Sequence, residues 1–465
     1  MGKLNAVSLK LSLLLNTGAG VWNRGSGALI RLVQVPLLLS ALGVNDYGRW
    51  LVLSTLPSWL MLASFGFGSV AANEMSMSVA AGDIKSANNV FSSTISLVLA
   101  IGFIGSIAAA VISPFIKWES FLNFPPDRHD EIALAVTFMA IAVFVSFLSE
   151  TLLGRYRAAK KAHLAVFIIS FGPWLDLLGI IVALKYSHRF DCLGFAMLAS
   201  TTLFFLVYLF FSWRVMPQIS FSLKKIEPHR FKYLFKKGAA FQAFPLGNAL
   251  LFQGNLLVVQ AMLGPAAVAI FGTARTLVRT VNQVMEVINQ AIWPELSHLF
   301  GSGDLKKAAK LHRGAVGISI LLSLLGVISL AVIGRTLYGL WVGKSIELSQ
   351  ELLVMFLLPI PLNALWFTSS VVHMASNQYE GLAVRYLIAA ALAGIACAIL
   401  SYFFGIEGAA LSTMVVDILL IPYVLKRSIE MVNDSWSGFL NGILSQAKHV
   451  LFNFRSVLRL SGSKT

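Results

Sequence analysis

The sequence predicts an all-α integral membrane protein, and three observations support this prediction. Hydrophobic residues make up 57% of the 465 residues and charged residues only 12%, whereas soluble domains are about 45–50% apolar and about 25% charged. The apolar residues fall in long runs that are separated by short, mostly basic loops. A set of loop residues also recurs at a fixed distance along the chain, which indicates two related halves.

A membrane-spanning helix needs about 20 mostly apolar residues, and about twelve such runs occur. They lie near 17–42, 48–72, 88–114, 131–153, 164–186, 191–213, 238–262, 266–293, 313–338, 350–374, 382–404 and 407–426. Since lipid offers no hydrogen-bond partners to the backbone, each run is expected to be helical.

The loops predict the orientation of these helices. The formal net charge is +15, and the basic residues concentrate in residues 154–163, 213–237 and 301–313 and in the tail. The alternate loops, 117–131 and 335–351, are acidic or balanced. By the positive-inside rule, the basic loops and both termini are therefore expected on the cytoplasmic side of the membrane.

The chain is predicted to have four parts. An N-terminal six-helix lobe covers 1–215, a basic interfacial linker 216–237, a C-terminal six-helix lobe 238–428 and a cytoplasmic amphipathic tail 429–465. The linker and the tail mix basic with apolar side chains, which is typical of segments that lie on anionic membrane surfaces. An ordinary solvated linker and tail is the alternative.

Matched polar loops indicate that the two lobes arose by duplication. The segment 82–87 (Gly-Asp-Ile-Lys-Ser-Ala) recurs at 303–308 as Gly-Asp-Leu-Lys-Lys-Ala, 221 residues later, and Leu42-Gly43 matches Leu263-Gly264 at the same distance. Further along, Leu164 matches Leu382 at a distance of 218 residues. Six helices per half preserve orientation, so we expect two parallel repeats around a central cavity.

Three arginines of the first half occur within or beside apolar runs, where a charge is costly and marks a candidate site. Arg24 and Arg31 are seven residues apart in the first run and share a helix face. Arg49 opens the second run. Arginine side chains that reach to the headgroups are the alternative for Arg24 and Arg49, and a structural hydrogen bond is the alternative for Arg31.

The eighth run carries a continuous polar stripe. Its polar residues recur three, four and seven apart, and they are Arg275, Arg279, Asn282, Gln283, Glu286, Asn289 and Gln290. A stripe of this length is expected to face water or a polar ligand. The seventh run adds Asn248 and Gln253, together with Pro245, which is expected to bend the helix.

Three carboxylates within the runs are candidates for proton or sodium coupling: Glu286, Asp176 and Asp417. A structural ion pair is the alternative for each. No cofactor or metal site is predicted, because Cys192 and Cys397 are the only cysteines and no metal-ligand spacing occurs. No phosphate-binding loop and no nucleophile with a partner base is present, so an enzyme is not predicted. The dispersed basic residues do not indicate nucleic-acid binding.

The opening helices resemble those of a known family. Residues 16–20 (Asn-Thr-Gly-Ala-Gly), 35–39 (Val-Pro-Leu-Leu-Leu), Tyr47-Gly48 and Trp50 look like the first helices of O-antigen and other polysaccharide flippases. These belong to the multidrug, oligosaccharidyl-lipid and polysaccharide (MOP) exporter superfamily, with the lipid II flippases and the multidrug and toxin extrusion (MATE) transporters.

The resemblance implies alternating access and a substrate of oligosaccharide linked to undecaprenyl diphosphate, moved from the cytoplasmic to the periplasmic leaflet. Membrane lipids and the polysaccharide polymerase machinery would be its partners. By this resemblance the diphosphate would be met by Arg24, Arg31, Arg49, Arg275 and Arg279. The polar faces of the seventh and eighth runs add further candidate substrate contacts, which are Asn282, Gln283, Asn248 and Gln253. A cation-coupled, MATE-like multidrug exporter is the alternative, although such a cavity would be expected to carry acidic residues where Arg24 and Arg31 stand.

Overall fold

The computed structural model describes residues 2–232, 234–235 and 242–443, and these are helical with short turns. Contacts divide the chain into two compact units, of which unit 1 ends at Pro245 and unit 2 begins at Leu246. The prediction of an all-α membrane protein is confirmed. Residues 236–241 of the predicted linker and 444–465 of the predicted tail lie outside the described residues.

The helices of unit 1 begin with a long one that is interrupted at Gly43, where φ is 75° and ψ is 172°. They are α1 (Gly2–Leu53), α2 (Leu56–Met61), α3 (Phe67–Ala80), α4 (Ile84–Ile112), α5 (Trp118–Leu122), α6 (His129–Ala158), α7 (Ala162–Ile169), α8 (Gly172–Tyr186) and α9 (Phe190–Val215). Helix α6 lies at the centre, because it packs against α3, α4 and α9.

Unit 2 contains α10 (Ala243–Asn248), which starts in the last residues of unit 1, followed by a π-helical turn (Ala249–Gly254). The remaining helices are α11 (Asn255–Leu263), α12 (Pro265–Ser302), α13 (Leu305–Val342), α14 (Gln350–Leu357), α15 (Pro359–Ala375), α16 (Glu380–Leu411) and α17 (Met414–Met431). Helix α15 packs against α12, α13 and α17, and a helical stretch at 436–443 follows α17.

Nine stretches of the described residues are long and apolar enough to span a membrane, against about twelve predicted runs. They are Gly18–Ser64, Ile84–Phe115, Pro126–Ala158, Ala162–Tyr186, Phe190–Val215, Ala243–Leu263, Leu305–Val342, Gln350–Ala375 and Glu380–Leu411. The first stretch contains two predicted runs, and the other two missing runs correspond to α12 and α17. Both helices carry charged residues that lower their hydropathy. Three of those in α12, Arg275, Arg279 and Glu286, line the pocket described below.

The matched loops have matched backbones in the two units. Gly43 and Gly264 both combine a φ of 75–82° with an extended ψ, and Gly82 and Gly303 have φ values of 79° and 73°. These left-handed conformations favour glycine, since they bring a Cβ too close to the backbone. After each second glycine an aspartate caps a helix: Asp83 accepts from the Ser86 amide and Asp304 from the Lys307 amide, at 2.8 and 3.1 Å.

The predicted interfacial linker is packed onto α4 over its described part. The Ser220 amide donates to Asn88 Oδ1 at 2.9 Å, and the Glu227 amide donates to Ser93 Oγ at 2.8 Å. Ile219 is fully buried against the core of unit 1. These bonds satisfy backbone groups of a segment that has only short helical turns, so the described part of the linker packs as part of unit 1.

Candidate functional site

The polar stripe of α12 lines a pocket within unit 2. The pocket has a volume of about 410 Å³, and its wall includes side chains from α10, the π-helical turn, α12, α14, α15, α16 and α17. Its polar lining residues are Asn248, Arg275, Arg279, Asn282, Glu286, Asn363, Trp366, Tyr386, Thr413 and Asp417. The structure therefore brings six of the sequence-predicted site residues into one cavity.

The two arginines of α12 share an aromatic partner in this pocket. The Arg279 guanidinium carbon lies 5.0 Å from the centroid of the Phe252 ring, and that of Arg275 lies 5.8 Å from it. Arg275 also donates to the Phe252 carbonyl oxygen at 2.7 Å. Within the described residues no carboxylate forms a salt bridge with Arg279. Its charge is thus held by an aromatic face, which leaves its N–H donors for an anionic ligand.

The π-helical turn explains how Phe252 reaches both arginines. A π-turn changes the backbone bonding of an α-helix and exposes carbonyl groups, and such turns are frequent at functional sites. Just before the turn, Asn248 Oδ1 accepts a hydrogen bond from the Tyr386 hydroxyl at 2.8 Å. A methyl group at Gly247 would lie 2.7 Å from carbons of the Tyr386 ring, so a glycine permits this contact. The π-helical turn begins after Asn248, and the bend predicted at Pro245 stays a prediction.

Asp417 closes another side of the pocket. Its Oδ1 accepts from Trp366 Nε1 at 2.6 Å and from Asn363 Nδ2 at 3.1 Å, and the residue is only 3% exposed. Both donors belong to α15, so these bonds join α15 to α17 within the membrane. Further along α12, Asn289 donates to the Phe367 carbonyl oxygen at 3.3 Å and fixes α12 to α15. The pocket wall is thus held by hydrogen bonds between its helices.

Two predicted contacts of unit 2 lie away from this cavity. Gln283 and Gln253 are half-buried, but neither lines the pocket. Gln283 follows Asn282 directly on α12, and consecutive helical residues point about 100° apart. The assignment of these two glutamines to substrate binding stays a prediction.

The predicted arginines of unit 1 lie on α1. Arg24 is half-buried and Arg31 is exposed, and both have interaction partners. Arg49 donates to Asp46 at 2.6 Å, and its guanidinium carbon lies 5.6 Å from the centroid of the Phe124 ring. Asp46 also pairs with Arg128 at 2.8 Å. Arg49 therefore belongs to an ion-pair network that holds the end of α1 to the segment before α6.

Asp176, the predicted ion-coupling residue of unit 1, is half-buried and accepts a hydrogen bond from Ser200. This bond connects α8 to α9. The bond is compatible with the structural alternative as well as with ion coupling, so the role of Asp176 stays a prediction.

Sequence reasoning missed four of the polar lining residues, Asn363, Trp366, Tyr386 and Thr413, and it also missed Phe252, the aromatic partner of both arginines. None of the five belongs to the polar stripe of α12. Only Asn363 could have been recognised from the sequence as a candidate site residue, since an amide within a membrane helix needs a hydrogen-bond partner. Its partner, Asp417, is 54 residues away and follows only from the packing of α15 on α17.

Comparisons with known proteins agree with this architecture. A family model described as "Polysaccharide biosynthesis protein" matches residues 14–300. A relative from Bacillus subtilis (strain 168), called uncharacterized membrane protein EpsK, is 19% identical over 321 residues, which cover 69% of this chain and 63% of the relative. The match thus spans less than two thirds of the relative's length.

Solved structures with the same fold are transporters. A multidrug resistance MATE family transporter of the MOP superfamily, in an inward-facing conformation, has a TM-score of 0.71 and 16% identity over 88% of this chain and 96% of its own. A MOP superfamily transporter from Pyrococcus furiosus, described as having a binding pocket of reverse polarity, has a TM-score of 0.63 and 15% identity over 91% and 96%. The chain therefore belongs to the polysaccharide biosynthesis protein family, and it has the fold of the MOP superfamily of transporters.

Proposed function

We propose that this protein is a flippase that moves an oligosaccharide linked to undecaprenyl diphosphate from the cytoplasmic to the periplasmic leaflet of the inner membrane by alternating access. The observation that carries the proposal is the pair Arg275 and Arg279, one helical turn apart on the wall of the pocket of unit 2. Family membership supports a role in polysaccharide synthesis. The direction of transport and cytoplasmic termini are part of the proposal.

The arginine pair suits a diphosphate for physical reasons. A guanidinium presents its donors in a planar fork that matches phosphate oxygens, and such contacts are strongest where water is excluded. Because Arg279 forms no salt bridge within the described residues, a diphosphate does not have to displace a carboxylate there. Each charge-assisted hydrogen bond contributes about 1.5–3 kcal/mol, so the pair supplies enough binding free energy to select a charged headgroup.

Arg24 and Arg31 are proposed as substrate contacts of unit 1, to be tested separately from the pocket of unit 2. Arg49 is the weakest candidate of the three, because it already forms a salt bridge with Asp46. Glu286 and Asp417, which line the pocket, and Asp176 are proposed as sites of proton or sodium coupling. If transport by an Asp417→Asn variant depends on the ion gradient as transport by the wild type does, Asp417 is not a coupling site.

A cation-coupled drug exporter is the second candidate function, and the presence of Glu286 and Asp417 in the pocket favours it. The two functions differ in the charge of the ligand. An exporter of organic cations should bind them more weakly when Glu286 is replaced by Gln and more tightly when Arg279 is replaced by Gln. A diphosphate flippase should show the opposite response to the arginine substitution.

Complementation tests the proposal directly. In a strain that lacks the gene, lipid-linked oligosaccharide is expected to accumulate on the cytoplasmic leaflet, and the wild-type gene should restore export. Arg275→Gln and Arg279→Gln should each fail to restore it at normal protein levels. Arg214→Gln is the matched control, because Arg214 is exposed at the end of α9 and lies outside the pocket. Full export by both pocket variants would contradict the proposal.

A further inference from the structure

An apolar groove runs along unit 1. Helices α6, α8 and α9 form it, and its volume is about 760 Å³. Where α8 and α9 meet, the lining residues are small, and a methyl group at Gly179 would lie 3.3 Å from the Ala196 carbonyl oxygen. Small residues let membrane helices approach closely. Larger side chains, among them Phe138 and Phe195, complete the lining. The groove thus follows the contact between α8 and α9.

The groove is open to the surface of the chain within its membrane-spanning stretches. Leu178, Val182 and Phe195 line it and are 56%, 56% and 57% exposed, and the three helices belong to stretches of spanning length. Ser200 also lines it, but its hydroxyl donates to Asp176 and is satisfied within the protein. The wall therefore offers little to a polar group, whereas it suits the hydrocarbon chains of the bilayer, which are as apolar as leucine.

The groove has about the length of one membrane leaflet. Its lining runs from Leu175 to Tyr186 on α8 and from Asp191 to Leu203 on α9. At 1.5 Å per residue these segments are about 17 and 18 Å long. The hydrocarbon core of a bilayer is about 30 Å thick, so each leaflet contributes about 15 Å. The groove therefore fits a lipid chain that extends through one leaflet, whereas a spanning helix would be supported along only about half of its length.

Two basic side chains lie at the end of the groove where α8 is joined to α9. Arg189 is exposed, and it donates to Asp191 through Nε and Nη2 at 3.1 and 2.7 Å. Since Asp191 lines the groove, this places the guanidinium at its end. A guanidinium has five N–H donors, so three remain for another acceptor. Lys185 is exposed and lies three residues after Val182, on the face of α8 that lines the groove.

The carboxylates near this end already have partners. Asp191 accepts from Arg189 and also from the Cys192 amide at 2.8 Å. Glu131 of α6 is 7% exposed and accepts from the Phe190 amide at 2.6 Å. Within the described residues neither carboxylate forms a salt bridge with Lys185. The exposed charge at this end of the groove is therefore positive, and it suits an anion.

We propose that the groove binds an anionic phospholipid of the membrane, with an acyl chain along α8 and α9 and the phosphate at Lys185 and Arg189. Phosphate oxygens accept charge-assisted hydrogen bonds from both kinds of side chain. Tyr186, which is 82% exposed at the same end, is an amphipathic ring of the type that lies at the level of lipid headgroups. The loop charges predict that this end faces away from the cytoplasm, so the lipid belongs to the outer leaflet. The inference does not depend on the transported substrate.

Native mass spectrometry of the full-length protein in detergent measures the selectivity of the groove. The probes are phosphatidylglycerol, which is anionic, and phosphatidylcholine with the same acyl chains, which is zwitterionic. Each basic side chain near an anionic headgroup raises the affinity about fivefold, so we expect phosphatidylglycerol to bind about thirtyfold more tightly. Lys185→Gln should reduce this preference about fivefold, and Lys185→Gln/Arg189→Gln should abolish it. Lys117→Gln, which removes an exposed lysine before α5, should keep it. Equal affinity of the wild type for the two lipids would overturn the proposal.

Alkylation of Cys192 tests whether the lipid lies in the groove. Cys192 lines the groove near its basic end, whereas Cys397, the other cysteine of the chain, is 0% exposed. Phosphatidylglycerol should slow the reaction of Cys192 with a maleimide more than phosphatidylcholine does. Ala199→Phe places a ring in the groove and should remove this protection and weaken the binding of both lipids. Ala110→Phe adds the same ring at an exposed position of α4 outside the groove and should change neither. Selective lipid binding that leaves Cys192 equally reactive would refute the location.

A second copy of the chain is the other occupant that these variants would reveal. The same mass spectra report the oligomeric state together with the number of bound lipids. If the groove were an interface between copies, Ala199→Phe would convert a dimer into a monomer and leave the preference for phosphatidylglycerol as in the wild type. That pair of results would overturn the proposal. A lipid site predicts the opposite pair, in which the oligomeric state is that of the wild type and the bound lipid is lost.

Discussion

Asp417 offers the sharpest test of how the pocket wall is held together. Its carboxylate accepts hydrogen bonds from Trp366 and Asn363 in a site that is almost closed to solvent. Replacement by Leu keeps a side chain of similar length but removes the acceptor. Replacement by Asn keeps an acceptor oxygen in the same place and removes only the charge. The two variants therefore separate the hydrogen bonds from the charge.

The expected loss of unfolding free energy follows from the two hydrogen-bond donors of Asp417. Trp366 is 6% exposed, so its Nε1 loses its only acceptor and the full penalty of about 1–3 kcal/mol applies. Asn363 is half-buried and faces the pocket, where water replaces part of the lost bond. Removal of a buried charge offsets some of this cost. We expect Asp417→Leu to lower the free energy of unfolding by about 2–4 kcal/mol and Asp417→Asn by less than about 1.5 kcal/mol.

Thermal unfolding of the purified protein in detergent measures the difference. On the scale of soluble domains of comparable size, about 2–4 kcal/mol corresponds to a fall in the midpoint of about 5–15 °C. Asp127→Leu is the matched control, because Asp127 is exposed, and it should leave the midpoint within about 2 °C of the wild type. Equal midpoints for Asp417→Leu and Asp417→Asn would refute the reasoning, since the hydrogen bonds would then contribute nothing.

Three further predictions concern the loops and helix contacts. Asp83→Ala and Asp304→Ala each remove a helix cap and should each cost about 0.5–2 kcal/mol of unfolding free energy, whereas Ser in either place should recover most of it. The hydrogen bond from Arg230 holds the pKa of Glu227 below its usual value. The ionised Glu227 therefore stabilises the folded linker at neutral pH, and this stabilisation is lost as the pH falls through the lowered pKa. Glu227→Gln should therefore speed amide exchange of the linker at pH 7, and the wild type should approach this behaviour only in acid. Gly68→Ala places a methyl group 2.7 Å from the Glu150 backbone. Because it overpacks the core, the variant should lose about 1–3 kcal/mol of unfolding free energy and should have a lower thermal midpoint. An unchanged midpoint would contradict the close packing of α3 on α6.

The parts of the structure that sequence predicted are those set by local chemistry. Apolar runs of spanning length predict helices because lipid leaves the backbone no other partner. The stripe from Arg275 to Glu286 predicts a polar face, since its members recur with the period of a helix. Four of its residues do line the pocket. The matched segments 82–87 and 303–308 indicate a duplication, and in each of them the aspartate caps a helix.

The parts that sequence did not predict depend on which helices meet. The partners of Asp417 come from α15, and nothing in the sequence around Trp366 indicates that contact. The family resemblance implied a substrate contact at Arg49, which stays a prediction, and the pairing of Arg49 with Asp46 depends on how the end of α1 is placed. The linker was predicted to lie on the membrane surface, which stays a prediction, and its hydrogen bonds to Asn88 and Ser93 of α4 have no signal in the sequence. Such contacts require the packed structure.

The duplication also shows which positions a repeated chain keeps. Gly43 and Gly264, and Gly82 and Gly303, keep both the residue and a positive φ, because few side chains fit that conformation. Within the helices, matched positions diverge in chemistry: Phe91 corresponds to His312 and Tyr156 to His373. A buried position in a helix accepts any side chain that its neighbours can pack against or pair with, so its identity depends on the contacts of each unit. The two units therefore share the residues that their backbone requires and differ in those that line their interiors.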